Sequence, residues 1–345
     1  MPLPFVVLRG GVRPGMRAET DLSVGVAMKG RARHWLLGVL ACGLASAAVA
    51  QDAGAPIRQS RDDAWWTGPM LANGAETLPQ GHMLIEPYIY DVMTPGVDAF
   101  GSRAYVLYGL TDRITVGAIP IIGYNRVSNG PNSSGIGLGD QILQFQYRLI
   151  RFHEGSWVPT VSLMVQEAVP TGRYDRLGRR PANGMGGGAY ATTVGVNMQS
   201  YFWMPNGRIL RARLNATTTF AGRADVEGVS TYGTGRDFRG HARAGDNFYV
   251  GAALEYSLTT RWVLALDLTY SHNGNTWVRG FDVVPGMEPV RVSNRFGRSD
   301  AVGYAPAIEY NWTPNIGVLF GVRVIAGGNN TKRSVTPAIA LNYVH

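Results

Sequence analysis

Residues 247–273 read NFYVGAALEYSLTTRWVLALDLTYSHN, and the side chains alternate in kind. Phe248, Val250, Ala252, Leu254, Tyr256 and Leu258 share one parity, while Tyr249, Gly251, Ala253, Glu255 and Ser257 share the other. A period of two belongs to a β-strand, whose successive Cβ atoms point to opposite faces. After Thr259-Thr260 the alternation resumes, with Trp262, Leu264, Leu266, Leu268 and Tyr270 set against Val263, Ala265, Asp267, Thr269 and Ser271. The stretch predicts a tight hairpin of two strands, each 11 to 13 residues long. That is about twice the usual globular length, and close to what a tilted strand needs to cross a bilayer. The apolar face is aliphatic in the middle and aromatic at its ends, the pattern of a lipid-facing band between two girdles. The expected fold class is therefore all-β, a transmembrane antiparallel β-barrel.

The same alternation recurs outward from this hairpin. Leu143, Phe145, Tyr147 and Leu149 face Gln144, Gln146 and Arg148; Val194, Val196, Met198 and Phe202 face Thr193, Asn197, Gln199 and Tyr201; Leu210, Ala212 and Leu214 face Arg211, Arg213 and Asn215. Apolar residues outside and polar residues inside invert a soluble barrel. Counting such runs gives about twelve strands, an even number as bacterial barrels have. Pro120 falls within one run and marks a bulge, because a closed barrel has no free edge to accommodate a missing N–H. Every second connection is short, at 111–113, 151–156, 204–207, 259–260 and 313–315, while 170–187, 221–246 and 274–299 read as long polar loops. Short periplasmic turns and long extracellular loops follow, with both ends of the barrel in the periplasm. Trp157, Trp262, Trp312 and Tyr343 then form a lower girdle, and Phe220, Phe248 and Tyr270 an upper one.

Composition agrees. A chain of 345 residues with 45 Gly, 10% aromatic and only 16% charged residues is poorer in charge and richer in glycine than a soluble enzyme. The formal charge of +8 is misleading, since six of the 32 basic residues precede residue 51. What remains is too nearly neutral for a nucleic-acid partner. Residues 1–50 read as a signal peptide with an extended N-terminus: Lys29, Arg31 and Arg33 precede the apolar run 35–44, Ala48-Val49-Ala50 is a cleavage site, and Met28 is the expected start. Cys42, the one cysteine, lies inside it, leaving no disulfide or thiol chemistry for the rest. Residues 51–80 lack strand periodicity and contain Trp65-Trp66-Thr67-Gly68-Pro69. They fit either a plug docked in the lumen by its tryptophans or a periplasmic segment packed on the rim. Residues 81–345 form the barrel.

Several short motifs carry a family resemblance: Thr67-Gly68-Pro69, Leu78-Pro79-Gln80-Gly81-His82, Glu86-Pro87-Tyr88, and Gly137-Leu138-Gly139-Asp140 running into Gln146-Tyr147-Arg148-Leu149. Over residues 63–345 the chain resembles the phenol-degradation MetA-pathway family of transporter-like outer-membrane barrels. The resemblance implies an outer-membrane channel for passive uptake of small molecules, aromatic or hydrophobic ones included. It supplies no catalytic or ligand-binding residue.

Inward parity gives the candidate lumen-lining residues Arg103, Gln144, Gln146, Arg148, Arg211, Arg213, Glu255, Asp267, Glu309 and Arg323, with Glu86, Asp140 and Arg261 on the same face. Opposite charges nearly balance. They fit a constriction that selects solutes or pairs that offset each other's desolvation. Arg211 and Glu255 are placed to pair across neighbouring strands, and Arg211 with Arg213 would narrow the pore. Inward Gly117, Gly195, Gly251, Gly317 and Gly321 either open a passage or let the wall bend. Twelve strands lie between filled eight-stranded and open sixteen-stranded barrels.

Two other classes compete. A lipid hydrolase needs His and Ser on one lipid-facing surface, but His272 points outward and Ser271 inward, so no enzyme is expected. No His, Cys or carboxylate cluster has metal-ligand spacing, and neither metal nor cofactor is expected. A structural or adhesive barrel would act through its extracellular loops. There Arg173, Arg176, Arg179 and Arg180 outweigh Asp175 and suit lipopolysaccharide phosphates or plain solvation. The expected partners are outer-membrane lipids and lipopolysaccharide together with a small solute, and the expected location is the bacterial outer membrane. Neither the solute nor the oligomeric state is legible.

Overall fold

Alternation of aliphatic and polar residues over runs of ten to fifteen builds most of the wall. The computed structural model describes residues 56–345; the leader over 1–50, its Met28 start and residues 51–55 lie outside the described residues. In chain order the strands are β1 (Met83–Thr94), β2 (Val97–Thr111), β3 (Ile114–Ile119), β4 (Ile121–Val127), β5 (Gly137–Leu138) and β6 (Gln141–Ile150). They continue as β7 (Thr160–Val169), β8 (Ala191–Trp203), β9 (Ile209–Ala221), β10 (Arg223–Glu227), β11 (Phe238–Arg243) and β12 (Asn247–Ser257). The last six are β13 (Trp262–Asn273), β14 (Thr276–Asp282), β15 (Val290–Phe296), β16 (Ser299–Thr313), β17 (Ile316–Gly327) and β18 (Ser334–Val344).

β3 and β4 both pair with β2, so they are one wall strand interrupted at Pro120. Register with β2 runs unbroken through Pro120, whose carbonyl accepts from the Ala104 N–H at 3.1 Å, while on the other side pairing slips by one residue between Ile119 opposite Ile142 and Ile122 opposite Leu138, the bulge expected at Pro120. β5 and β6 are likewise one strand parted at Gly139-Asp140. Each wall strand pairs antiparallel with its neighbours, and β1 joins both β2 and β18, which closes the ring at twelve strands. The backbone of Met83 exchanges two hydrogen bonds with that of His345, both 2.9 Å, where the barrel's two ends meet.

β12 and β13 are the eighth and ninth wall strands, laddered from Asn247 opposite Asn273 to Ser257 opposite Val263. Their turn is wider than Thr259-Thr260 alone, because the Thr259 hydroxyl accepts from the N–H groups of Arg261 and Trp262 at 3.2 and 3.0 Å. Such a side-chain-capped turn takes in its neighbours. Arg261 consequently sits exposed in the turn, not on the inner wall. Its guanidinium lies 5.8 Å from the Trp65 ring.

Two stretches expected as loops hold further strands. β10–β11 and β14–β15 are hairpins that join into a separate sheet of order β10-β11-β14-β15 beyond the ends of β9, β12 and β13. One face buries Ala224, Val226, Phe238, Ala242 and Val278 against Tyr174, Ala189 and Tyr232. Apolar residues do alternate in β10, but the charged Arg223, Asp225 and Glu227 at the intervening positions give the segment the composition of a loop.

Candidate functional site

Residues 56–82 begin and end at the periplasmic rim, and 64–78 between them run through the periplasmic half of the lumen. An aperiodic segment has no strand partner for its amides and carbonyls, and inside a barrel these groups need others. The wall supplies them. Trp65 donates its N–H to the Thr260 carbonyl at 3.1 Å, beside a periplasmic turn. Glu309 Oε2 accepts from the N–H groups of Thr67 and Gly68 at 2.8 and 3.2 Å. Asp267 Oδ1 accepts from the Ala72 N–H at 2.9 Å, and Arg213 donates to the Ala72 carbonyl at 2.9 Å. Asn215 donates to the Asn73 carbonyl at 3.0 Å, and Gln146 to the carbonyls of Gly74 and Glu76 at 3.1 Å each. The chain then descends, with Arg148 on the Glu76 carboxylate at 3.0 Å and the Leu78 N–H on Thr115 Oγ1 at 2.9 Å. Asp267 and Asn215 stand mid-strand, so residues 70–73 mark the deepest point of the excursion.

The expected pair forms. Arg211 and Glu255 are directly opposed between β9 and β12. Arg211 Nε donates to Glu255 Oε2 at 2.7 Å, a second guanidinium nitrogen binds Oε1, and Arg213 Nε lies 3.0 Å from Oε2. Glu255 is fully buried by this clamp, which is the geometry in which a buried carboxylate is tolerated. Trp66 lies over the same group, with the Arg211 guanidinium 4.4 Å from its ring. Of the other candidates, Gln144 accepts from Gln166 at 2.6 Å, and Arg103 and Arg323 are buried on the inner faces of β2 and β17. All ten expected lumen residues are inward, and most hold either one another or the inserted segment. The inner glycines differ: a Cβ at Gly321 would come within 3.0 Å of both the Ala307 methyl and the Met70 sulfur.

The lumen holds two cavities, one above the segment and one between segment and wall. An upper one of about 440 Å³ is lined by Gln166, Thr193, Thr217, Thr219, Asn247 and Asn273. A lower one of about 250 Å³ is lined by residues 67–74 with Gln144, Gln146, Arg211 and Arg213. Between them is a void of about 30 Å³, bounded by Met70, Leu71, Tyr88, Tyr90, Arg103 and Tyr105. Arg103 also borders the upper cavity, and Met70, Leu71, Tyr88 and Tyr105 border the lower. That is room for a water or two. Tyr88 and Tyr105 meet edge to face at 6.0 Å and 74°, while Met70 rests among Ala305, Ala307, Ala338 and Leu319. The sequence shows the three tyrosines on inward parity. Nothing in its periodicity marks Met70 or Leu71.

The extracellular mouth is tied down on one side. Asp140 accepts from the N–H groups of Gly172 and Gly187 at 2.9 and 2.7 Å. Burial, and then the Asp140 carboxylate, push the Tyr232 hydroxyl up to about 12, so it stays protonated and donates to the Gly187 carbonyl. Among the loop arginines, Arg176 pairs with Glu227 at 2.6 Å, Arg173 donates to the Arg176 carbonyl and Arg180 to that of Asn132. On the outer surface His272 Nδ1 lies 2.6 Å from Asp300 Oδ1. Ser271 is buried on the opposite face, away from that pair.

A closed twelve-stranded barrel with an aliphatic exterior, a polar lumen and short turns at one end is an outer-membrane barrel. The protein resides in the bacterial outer membrane. The family described as "Putative MetA-pathway of phenol degradation" matches residues 73–343, and the chain belongs to it. It is similar to the crystal structure of an outer membrane channel from Pseudomonas putida F1, at 15% identity over 80% of this chain and 100% of that one, with a TM-score of 0.56. Fainter likenesses extend to the NanC porin (12% identity, 75% and 98% covered, TM-score 0.41) and the TodX monoaromatic hydrocarbon channel (14%, 77% and 90%, TM-score 0.32). No curated protein matches the chain.

Proposed function

We propose that the protein is a channel for passive uptake of small apolar molecules, aromatic ones included, across the outer membrane, with the segment before β1 as its plug. The observation that carries this reading is the constriction: a narrow void, bordered by Tyr88, Tyr90, Arg103 and Tyr105 of the wall and by Met70 and Leu71 of the segment, shares lining residues with a solute-sized cavity on either side and forms the throat of the proposed path. The strands fix the tyrosines. Met70 and Leu71 belong to a segment held by hydrogen bonds, so the throat has one wall that can move. Its lining is mostly apolar and aromatic, with Arg103 as its one charged group, which favours a flat aromatic solute over a sugar, whose hydroxyls outnumber the polar partners there. Family membership and the likeness to an outer membrane channel support the reading.

The test is solute uptake by liposomes holding the purified full chain, with a phenolic compound and a sugar of similar size. Faster entry of the phenolic is the expected result. Equal entry of both would indicate an unselective pore, and entry of neither would leave a structural or adhesive barrel.

A further inference from the structure

The face of the β10-β11-β14-β15 sheet opposite its buried core bears a lattice of arginines and aromatics. Register sets it out in three rows: Arg223, Arg243, Trp277 and Arg295; Asp225, His241, Arg279 and Ser293; Glu227, Arg239, Phe281 and Arg291. Six arginines thus share one face with two carboxylates. Three of the six have an acid within reach: Arg223 lies 3.5 Å from Asp225, Arg239 3.7 Å from Glu227, and Arg243 3.6 Å from Asp246. No salt bridge is found for Arg279, Arg291 and Arg295 among the described residues, and all three are exposed. They surround Trp277 and Phe281, with the guanidiniums of Arg279 and Arg295 at 5.0 and 4.9 Å from the Trp277 ring.

A merely solvated face would not be built this way. Arg223 stands directly opposite Arg243 in the ladder, an arrangement of like charges that weakens a sheet. The unpaired arginines gather around aromatic side chains, where a compensating lysine–glutamate mixture would be the usual surface. Guanidinium forks bind phosphate oxygens two at a time, and the half-buried indole of Trp277 offers a flat surface to the apolar face of a sugar ring. The sheet's location names the source of such a ligand. It stands beyond the extracellular ends of β9, β12 and β13, and its core face packs on Tyr232, which lines the upper cavity. The arginine face is therefore turned away from the mouth, toward the neighbouring outer leaflet. We propose that this face binds the phosphorylated saccharide of lipopolysaccharide, with Arg279, Arg291 and Arg295 holding phosphates and Trp277 seating a sugar ring. The loop arginines meet this face only at its edge, where Arg176 holds Glu227, and Arg173 and Arg180 fasten the loops to one another.

The test uses the full chain in detergent and measures binding to lipopolysaccharide micelles, with intact and with chemically dephosphorylated core. Three proteins are compared: the native sequence, Arg279→Gln/Arg291→Gln/Arg295→Gln, and a charge-matched control, Arg113→Gln/Arg151→Gln/Arg208→Gln, altered in the periplasmic connections. Heat-modifiable gel mobility confirms that each is folded. The lattice variant should lose at least tenfold in affinity and show a shallower dependence on salt, while the control stays within twofold of native. Native protein should also bind the dephosphorylated form at least tenfold more weakly. Equal binding by native and lattice variant, an equal loss in the control, or indifference to phosphate would each overturn the assignment. So would binding of soluble polyphosphate with none to lipopolysaccharide.

Discussion

Glu309 shows how one residue can set the state of the lumen. Its carboxyl group is fully buried and accepts two amides from the inserted segment, each a hydrogen bond worth about 0.5–1.5 kcal/mol. Glu309→Ala removes both while leaving the Arg211–Glu255–Arg213 clamp in place, so it should raise single-channel conductance in planar bilayers. Glu309→Gln keeps an acceptor oxygen and should lie between alanine and native. Conductance unchanged in the alanine variant would show that the segment does not depend on this anchor. Gly321 makes a complementary case through space. Valine there suits a strand but intrudes on the Met70 sulfur and the Ala307 methyl. Overpacking of this kind costs about 1–3 kcal/mol, read as a lower urea midpoint. Met70→Ala should recover much of the loss in the double variant; strictly additive effects would mean that Met70 is not what valine meets.

Among the elements, those whose surroundings repeat were legible and those whose surroundings are particular were not. A wall strand meets lipid on one side and lumen on the other at every turn of its pleat, so Leu264, Leu266 and Leu268 announce themselves by spacing alone. The inserted segment has no repeating environment. Its partners are single side chains 195 and 242 residues away, and composition offers no clue to a bond between Thr67 and Glu309. The lumen candidates were found by parity, whereas the other half of the constriction, Met70 and Leu71, has no parity to read. The second sheet was hidden for a different reason. Its strands are five to seven residues long, and the arginines on its open face make them resemble solvated loop. Its core can be tested independently. Phe238 is 1% exposed, so Phe238→Ala should cost about 3–5 kcal/mol locally. Limited proteolysis should then cut within 222–246 or 274–298 while the barrel keeps its heat-modifiable mobility. Resistance equal to the native protein would show that the sheet is held by something other than this core.

For the molecule as a whole, the question is whether solute passes a segment that moves or slips around one that stays. The wall is a continuous hydrogen-bonded ring without an edge, so a change in bore has to come from what lies within it. The segment enters and leaves at the periplasmic end, near Thr260 and Thr115, so its tip at 70–73 can swing only by breaking its bonds to Asp267, Arg213 and Asn215. A Cβ at 321 would sit 3.0 Å from the Met70 sulfur, so the side chains at the two positions touch, and loss of free thiol reports whether cysteines placed there join. The variant Met70→Cys/Gly321→Cys, made with Cys42→Ser so that no other thiol is present, can fasten the tip to the wall. If the throat opens by movement of the tip, the oxidised variant should admit no phenolic compound, and reductant should restore uptake to the level of the single Gly321→Cys variant. Passage around a stationary segment requires the opposite, equal uptake in oxidised and reduced protein. In that case the Tyr88, Tyr90 and Tyr105 wall would have to yield instead, and alanine at those positions would become the substitution that changes permeability.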